Sequence, residues 1–223
     1  MKKVVFPVAL LIIVAAAFGG VYAYLAMRGR IDIQNVQYAE VRDYQGAKLS
    51  SINDFIENSI KGPQHVDPKT YRLKVTGLVA QPQELTYDQV LSKYPSSKKV
   101  VALDCVEGWN VTILWEGIHL RDLFADAKPT SDAKTVIFHA VDGYTTSFPI
   151  SYFKDNDILM AYKMNGVVLP PEEGFPFYLV AESKWGYKWI KWIDEIQFSS
   201  DENYKGYWES RGYSESGDLN KPF

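Results

Sequence analysis

The sequence has a single cysteine, Cys105, and three histidines, His65, His119 and His139. One thiol excludes an internal disulfide, a multi-cysteine zinc or iron–sulfur site and a C-x-x-C-H haem attachment. Acidic residues are absent from the first 30 positions, which hold Lys2, Lys3, Arg28 and Arg30 and so carry +4. The whole chain stands at −3, which leaves −7 on residues 31–223 without any basic run. That balance excludes nucleic acid as the expected partner. Internal repeats and low-complexity tracts are also missing.

What is present is apolar and aromatic. Of 223 residues 47% are hydrophobic, including 6 Trp and 15 Tyr, which suffices for one substantial core. Val4 to Met27 runs 24 residues without a charge, and as a helix it would reach roughly 36 Å, enough to cross a bilayer with some tilt. A retained single-pass transmembrane helix over 4–27 is the expectation; the rival is a secretory signal cleaved after Ala23. The expected plan continues with a tether over 28–50, one domain over 51–200 and a tail over 201–223 that packs on the domain or extends from it. The domain is expected at the cell membrane, on its extracytoplasmic side.

Along the domain, Tyr71–Val79 alternates like a half-buried strand, and Thr86 and Gln89 form a capping box before a short helix. Lys98–Glu107 is β-branched and apolar, a strand that delivers Cys105 near its end, and His119–Ala127 is a short amphipathic helix stopped by Pro129. "KTVIFHAV", "YTTSFPI", "DILMAYKM", "PFYLVAE" and "KWIDEIQF" are further strands, spaced by turns such as Asp142-Gly143 and Asn165-Gly166. The class predicted is α+β, mixed and strand-dominated.

Two features can carry chemistry. Cys105 admits three readings: an inert buried hydrophobe, a nucleophile needing a histidine base, or a thiolate on one metal whose other ligands come from a cofactor. Asp104 and Glu107 flank it and read as solvated or turn-capping carboxylates. The second feature is "SKWGYKWIK", which sets Lys184, Lys188 and Lys191 around Gly186 among aromatic residues. It reads either as a strand edge guarded by lysines or as an anion cradle where glycine admits the backbone to a phosphate.

"SINDF", "LDCVEGWNVTILWEGIHLRDLF", "AVDGYTTSFPI" and "LPPEEGFPFYLVAESKWGYKWIKWIDEI", in this order, resemble the molybdopterin-dependent oxidoreductases of the sulfite oxidase fold. Within them the match is nearer the catalytic subunit of bacterial periplasmic methionine sulfoxide reductase than the sulfite oxidases proper. The resemblance implies plain Mo-molybdopterin as cofactor, with Cys105 as its metal ligand. It also implies oxygen-atom transfer, with electrons from a membrane subunit of haem b and quinol type. By the same resemblance Asn53, Ile56 and Glu57 fall at pterin contacts, and Trp189, Ile190 and Lys191 at the phosphate segment. Ala140, Glu173 and Tyr178 stand where the reductase has threonine, asparagine and arginine, so Lys184 or Lys188 is expected to supply the missing charge. Trp109 and its apolar surroundings, without an arginine, suit a neutral sulfoxide (as in methionine sulfoxide) or an N-oxide rather than sulfite. The alternative is a non-catalytic binding or assembly module on the same fold, with sulfite oxidation ranked last.

Overall fold

The computed structural model describes residues 40–223. The membrane span expected over 4–27 and the start of the tether lie outside the described residues. Among the described residues no helix is long and apolar enough to cross a membrane.

Strands β1 (Asp43–Tyr44) and β2 (Ala47–Lys48) form a small hairpin. They are followed by β3 (Leu73–Gly77), β4 (Gln83–Leu85) and helix α1 (Tyr87–Lys93). Next come β5 (Ser96–Asp104), β6 (Asn110–His119) and α2 (Leu120–Ala127). The third group is β7 (Thr135–Ala140), β8 (Thr145–Pro149) and α3 (Ile150–Asp155). The last strands are β9 (Leu159–Met164), β10 (Val167–Val168), β11 (Tyr178–Val180) and β12 (Ile193–Ser199). One five-stranded sheet runs β10-β9-β6-β5 with β11 also on β9, and the second runs β4-β3-β12-β7-β8. The β3–β12 pair is parallel and its neighbours are antiparallel, so the predicted mixed, strand-dominated α+β class is what the chain adopts.

Local chemistry explains several elements. Thr86 Oγ1 accepts the Gln89 N–H while the Gln89 side chain takes the Thr86 N–H, closing both ends of the capping box. Helix α2 buries Leu120, Leu123, Phe124 and Ala127 and stops where Lys128 turns left-handed just before Pro129. Burying each large side chain of that face stabilises by about 1.5–3 kcal/mol.

Two expectations are corrected. Residues 40–50 are not a free tether: the Val41 N–H donates to the Asn165 carbonyl, and the Glu40 carboxylate accepts from Ser51 Oγ and the Ile52 N–H. The strand expected through Ile150 ends at Pro149; the Ile150 N–H still donates to the Lys134 carbonyl at 2.8 Å, and α3 begins there, burying Tyr152 and Phe153. Strand β6, the longest with ten residues, was not anticipated at all. It pairs β5 on one side and β9 on the other and is buried on both faces, so it lacks the alternation that marks a half-exposed strand. The tail over 201–223 packs on the domain, with the Tyr207 N–H donating to the Thr145 carbonyl and the Leu219 N–H to the Ser183 carbonyl.

Candidate active site

Strands β5 and β6 are in register from Ser96↔Ile118 to Asp104↔Asn110, and residues 105–109 are their hairpin turn. The Cys105 N–H donates to the Trp109 carbonyl at 2.9 Å and the Gly108 N–H to the Cys105 carbonyl at 3.0 Å. This holds Cys105 at the rim of a cavity of about 230 Å³. The other walls come from the loop over 55–60, the turn holding Asp142 and Tyr144, the Glu173 loop with Tyr178, the Gly186–Lys191 segment, and Trp208 and Tyr213 of the tail.

Cys105 is 9% exposed. Burial raises its thiol above the ordinary value, as does the Glu107 carboxylate, while the backbone at Glu107 and Val106 opposes them. Glu107 Oε2 lies 3.9 Å from Cys105 Sγ. Asn58 Nδ2 at 2.9 Å and Trp109 Nε1 at 3.3 Å hold that carboxylate. Opposite, a Cβ built on Gly186 would stand 3.3 Å from the Asp104 carbonyl and 3.4 Å from Cys105 Cα, so a turn of backbone lies directly against the cysteine.

At the other end Lys191 donates to Glu57 Oε1 at 3.2 Å and to the Glu172 carbonyl at 3.0 Å. Glu173 is 7% exposed, and its carboxyl has no hydrogen-bond partner among the described residues. Burial pushes it up to about 7, with Lys191 pulling the other way and Glu57 and Glu172 adding to the rise. Tyr178 is buried and stays protonated well above the ordinary phenol range, first through burial and then through Glu173 and Cys105. Ser59 Oγ, also in the wall, is buried without a partner among the described residues.

The structure therefore brings together Cys105, Trp109, Ile56, Glu173, Tyr178, Gly186, Trp189, Ile190 and Lys191 on one cavity. Glu57 reaches it only through its ion pair with Lys191. Asn53 and Ala140 do not line it: Asn53 is exposed in the 3₁₀ turn Ile52–Asp54, and Ala140 is buried in β7. Lys184 and Lys188 are corrected outright as sources of charge for the cavity. Lys184 Nζ pairs with Asp218 and the Ser216 carbonyl, and Lys188 Nζ is enclosed by Glu209 and the carbonyls of Ser147 and Glu215.

Glu107 was undervalued in the sequence, where its place two residues from Cys105 was the available signal. Nothing local marked Tyr144, Trp208 or Tyr213, which come to the wall from distant segments. The nucleophile reading loses its base, since none of the three histidines lines the cavity; His119 bonds Ser97 Oγ and His139 the Gln197 side chain. Among the described residues no group of three His, Cys, Asp or Glu could hold a metal. A metal on Cys105 would thus have to arrive with other ligands of its own.

A family model described as "Oxidoreductase molybdopterin binding domain" matches residues 60–208. An uncharacterized oxidoreductase of Bacillus subtilis, YuiH, is 36% identical over 157 residues, covering 70% of this chain and 78% of its own. The protein-methionine-sulfoxide reductase catalytic subunit MsrP of Campylobacter jejuni is 31% identical over 177 residues, 69% of this chain and 57% of its own. A putative protein-methionine-sulfoxide reductase subunit of Azospira oryzae, YedZ1, is 32% identical over 151 residues, 68% of this chain and 57% of its own. The chain spans just over half the length of those last two relatives. Among solved structures, the sulfane dehydrogenase SoxCD of Paracoccus pantotrophus aligns with a TM-score of 0.64 at 23% identity, over 72% of this chain and 44% of that one, a likeness of fold.

Proposed function

The chain belongs to the oxidoreductase molybdopterin-binding domain family, of the sulfite oxidase type, and on that premise we propose that it reduces a sulfoxide or N-oxide by oxygen-atom transfer. Family membership, with a cysteine kept in the cavity, decides for an enzyme over a non-catalytic module.

The residues fit a molybdenum–pterin. Cys105 is the one thiol able to ligate the metal, and it lines the cavity. Coordination would overcome the burial that otherwise keeps the thiol protonated. Trp189 and Tyr187 wall the space for a flat heterocycle, Lys191 supplies a cation, the Glu173 carboxyl lines the cavity, and the buried Ser59 Oγ is without a partner among the described residues. When bound, the cofactor supplies two-electron oxygen-atom chemistry.

The chain's own residues bind, orient and exclude water. Phe55, Ile56 and Trp109 make part of the wall apolar, and no arginine lines the cavity among the described residues, so a neutral oxide is favoured over the sulfite anion. The Phe55 ring meets Trp109 edge-on at 6.0 Å, which fixes the indole. The Glu107 carboxylate lies beside Cys105 and, by accepting from Asn58 and Trp109, orients both on that side of the cavity.

With one cysteine and no haem motif in the chain, electrons must come from a partner; a membrane subunit of haem and quinol type is our proposal, with residues 4–27 as anchor and the domain outside the cytoplasm. A topology reporter placed after residue 223 that reads cytoplasmic would overturn that placement. The plain pterin is proposed over a nucleotide form because, among the described residues, the cavity lining holds one cation, Lys191, and that one is shared with Glu57; a nucleotide among the acid-released products would reverse this.

The position of the Cys105 thiol in the cavity carries the reading. Molybdenum per chain, measured on protein from a cofactor-competent host beside Cys105→Ala, tests it. Near-stoichiometric metal in the parent, with its paramagnetic signal lost or altered in the variant, is expected and leads to a sulfoxide and N-oxide screen. Folded parent protein without molybdenum overturns it.

A further inference from the structure

Resting on the cofactor assignment above, we propose that Glu173 holds the anionic end of the pterin as a neutral carboxylic acid, donating its O–H beside the Lys191 ammonium. The Glu173 loop is pressed against both neighbours: a Cβ built on Gly174 would stand 2.8 Å from Tyr178 Cδ2 and 3.1 Å from Lys191 Cβ. Glu173 lines the cavity and is buried without a hydrogen-bond partner among the described residues. Charged and titratable groups face it from every side: Lys191 from the segment before β12, Glu57 from the loop after the first 3₁₀ turn, Glu172 from its own loop and Tyr178 from β11.

One ammonium among three carboxyl groups is a poor seat for a phosphate if all three are ionised, because like charges at short range repel strongly where water is excluded. Lys191 is moreover committed to Glu57 and to the Glu172 carbonyl. Protonating Glu173 removes the most buried of those charges and turns an acceptor into a donor. The subsite then offers an ammonium, a carboxylic O–H and the phenolic O–H of Tyr178, which stays protonated. Burial, opposed by Lys191 and reinforced by Glu57 and Glu172, brings the Glu173 titration to about 7, within reach of ordinary buffers. An ionised Glu173 accepting from a pterin amine is the competing arrangement, and it reverses the pH dependence.

The test is retention of the pterin by the purified holoenzyme, read as fluorescence of the oxidised pterin released on dialysis, independent of turnover. At about pH 6 the parent is expected to lose pterin roughly tenfold more slowly than at about pH 8.5. Glu173→Gln, a neutral isostere, is expected to lose it slowly at both. Equal retention at both pH values in the parent, better retention at the higher one, or a Gln variant that follows the parent overturns the proposal. Parent protein with no pterin at either pH overturns the cofactor assignment as well, whereas a loaded but pH-insensitive parent leaves that assignment standing.

Discussion

The Lys188 ammonium lies 2.6 Å from the Glu209 carboxylate, and solvent reaches neither side chain. Two carbonyls, Ser147 at 2.7 Å and Glu215 at 3.1 Å, complete the three acceptors an ammonium can use. Thr146 Oγ1 donates to the same Glu209 oxygen at 2.7 Å. The pair ties the C-terminal tail to β8 and to the Gly186–Lys188 turn, the turn that backs Cys105. Burial, partly offset by Glu209, lowers the Lys188 pKa, so this ion depends on its partner to remain charged.

Removing one member therefore costs more than removing both. Lys188→Met leaves the Glu209 carboxylate buried and uncompensated, and a loss of about 3–5 kcal/mol is expected in urea unfolding. Lys188→Met combined with Glu209→Leu should recover most of it. A double variant as unstable as the single one would show that the charge pair is not the origin of the loss.

The carboxyl of Glu173 makes stability depend on pH in the apo protein. Its folded value, about 7, stands above the ordinary 4.5, so the folded chain binds the proton more tightly than the unfolded one. That contribution is fully present below about pH 4.5 and is lost as pH rises through about 7. Glu173→Gln lacks the dependence: it should match the parent near pH 4 and exceed it near pH 8 by on the order of 3 kcal/mol. Parallel pH–stability curves for the two proteins would contradict this.

Gly186 is small because the backbone of Asp104 and Cys105 lies against it. In Gly186→Ala the new methyl meets carbonyl and Cα at 3.3 and 3.4 Å, so the turn must move by a few tenths of an ångström. Roughly 1 kcal/mol of stability should go, with molybdenum content falling several-fold. Gly117→Ala serves as the severe reference, since its Cβ would stand 2.2 Å from the Met160 carbonyl where β6 pairs with β9; that variant is expected not to fold. Unchanged metal in Gly186→Ala would show that the close approach does not position Cys105.

Thr86→Ala removes one arm of the α1 capping box. A loss of about 1 kcal/mol in thermal or urea unfolding is expected, with molybdenum content unaltered because α1 contributes no side chain to the cavity. A drop in metal content would tie the cap to the site.

Where residues a few positions apart settle a structure, the sequence was enough. The Thr86–Gln89 box starts α1, and Asn165-Gly166, both left-handed at φ 47° and 82°, turns β9 back onto β10. The ordered motifs around Cys105 likewise pointed to the family that contains the chain. Tertiary structure decided what depends on distant partners. Strand β6 was hidden because burial on both faces erases its periodicity, and residues 40–50 looked like linker because their acceptors, Asn165 and Thr112, lie far along the chain. The three lysines of one nine-residue segment make the point most sharply. Spacing treats them alike, yet Asp218 and Glu209, which arrive with the tail, claim Lys184 and Lys188 and leave Lys191 at the cavity. Which cation reaches the cavity is a matter of through-space Coulomb pairing and desolvation, and no local pattern encodes either.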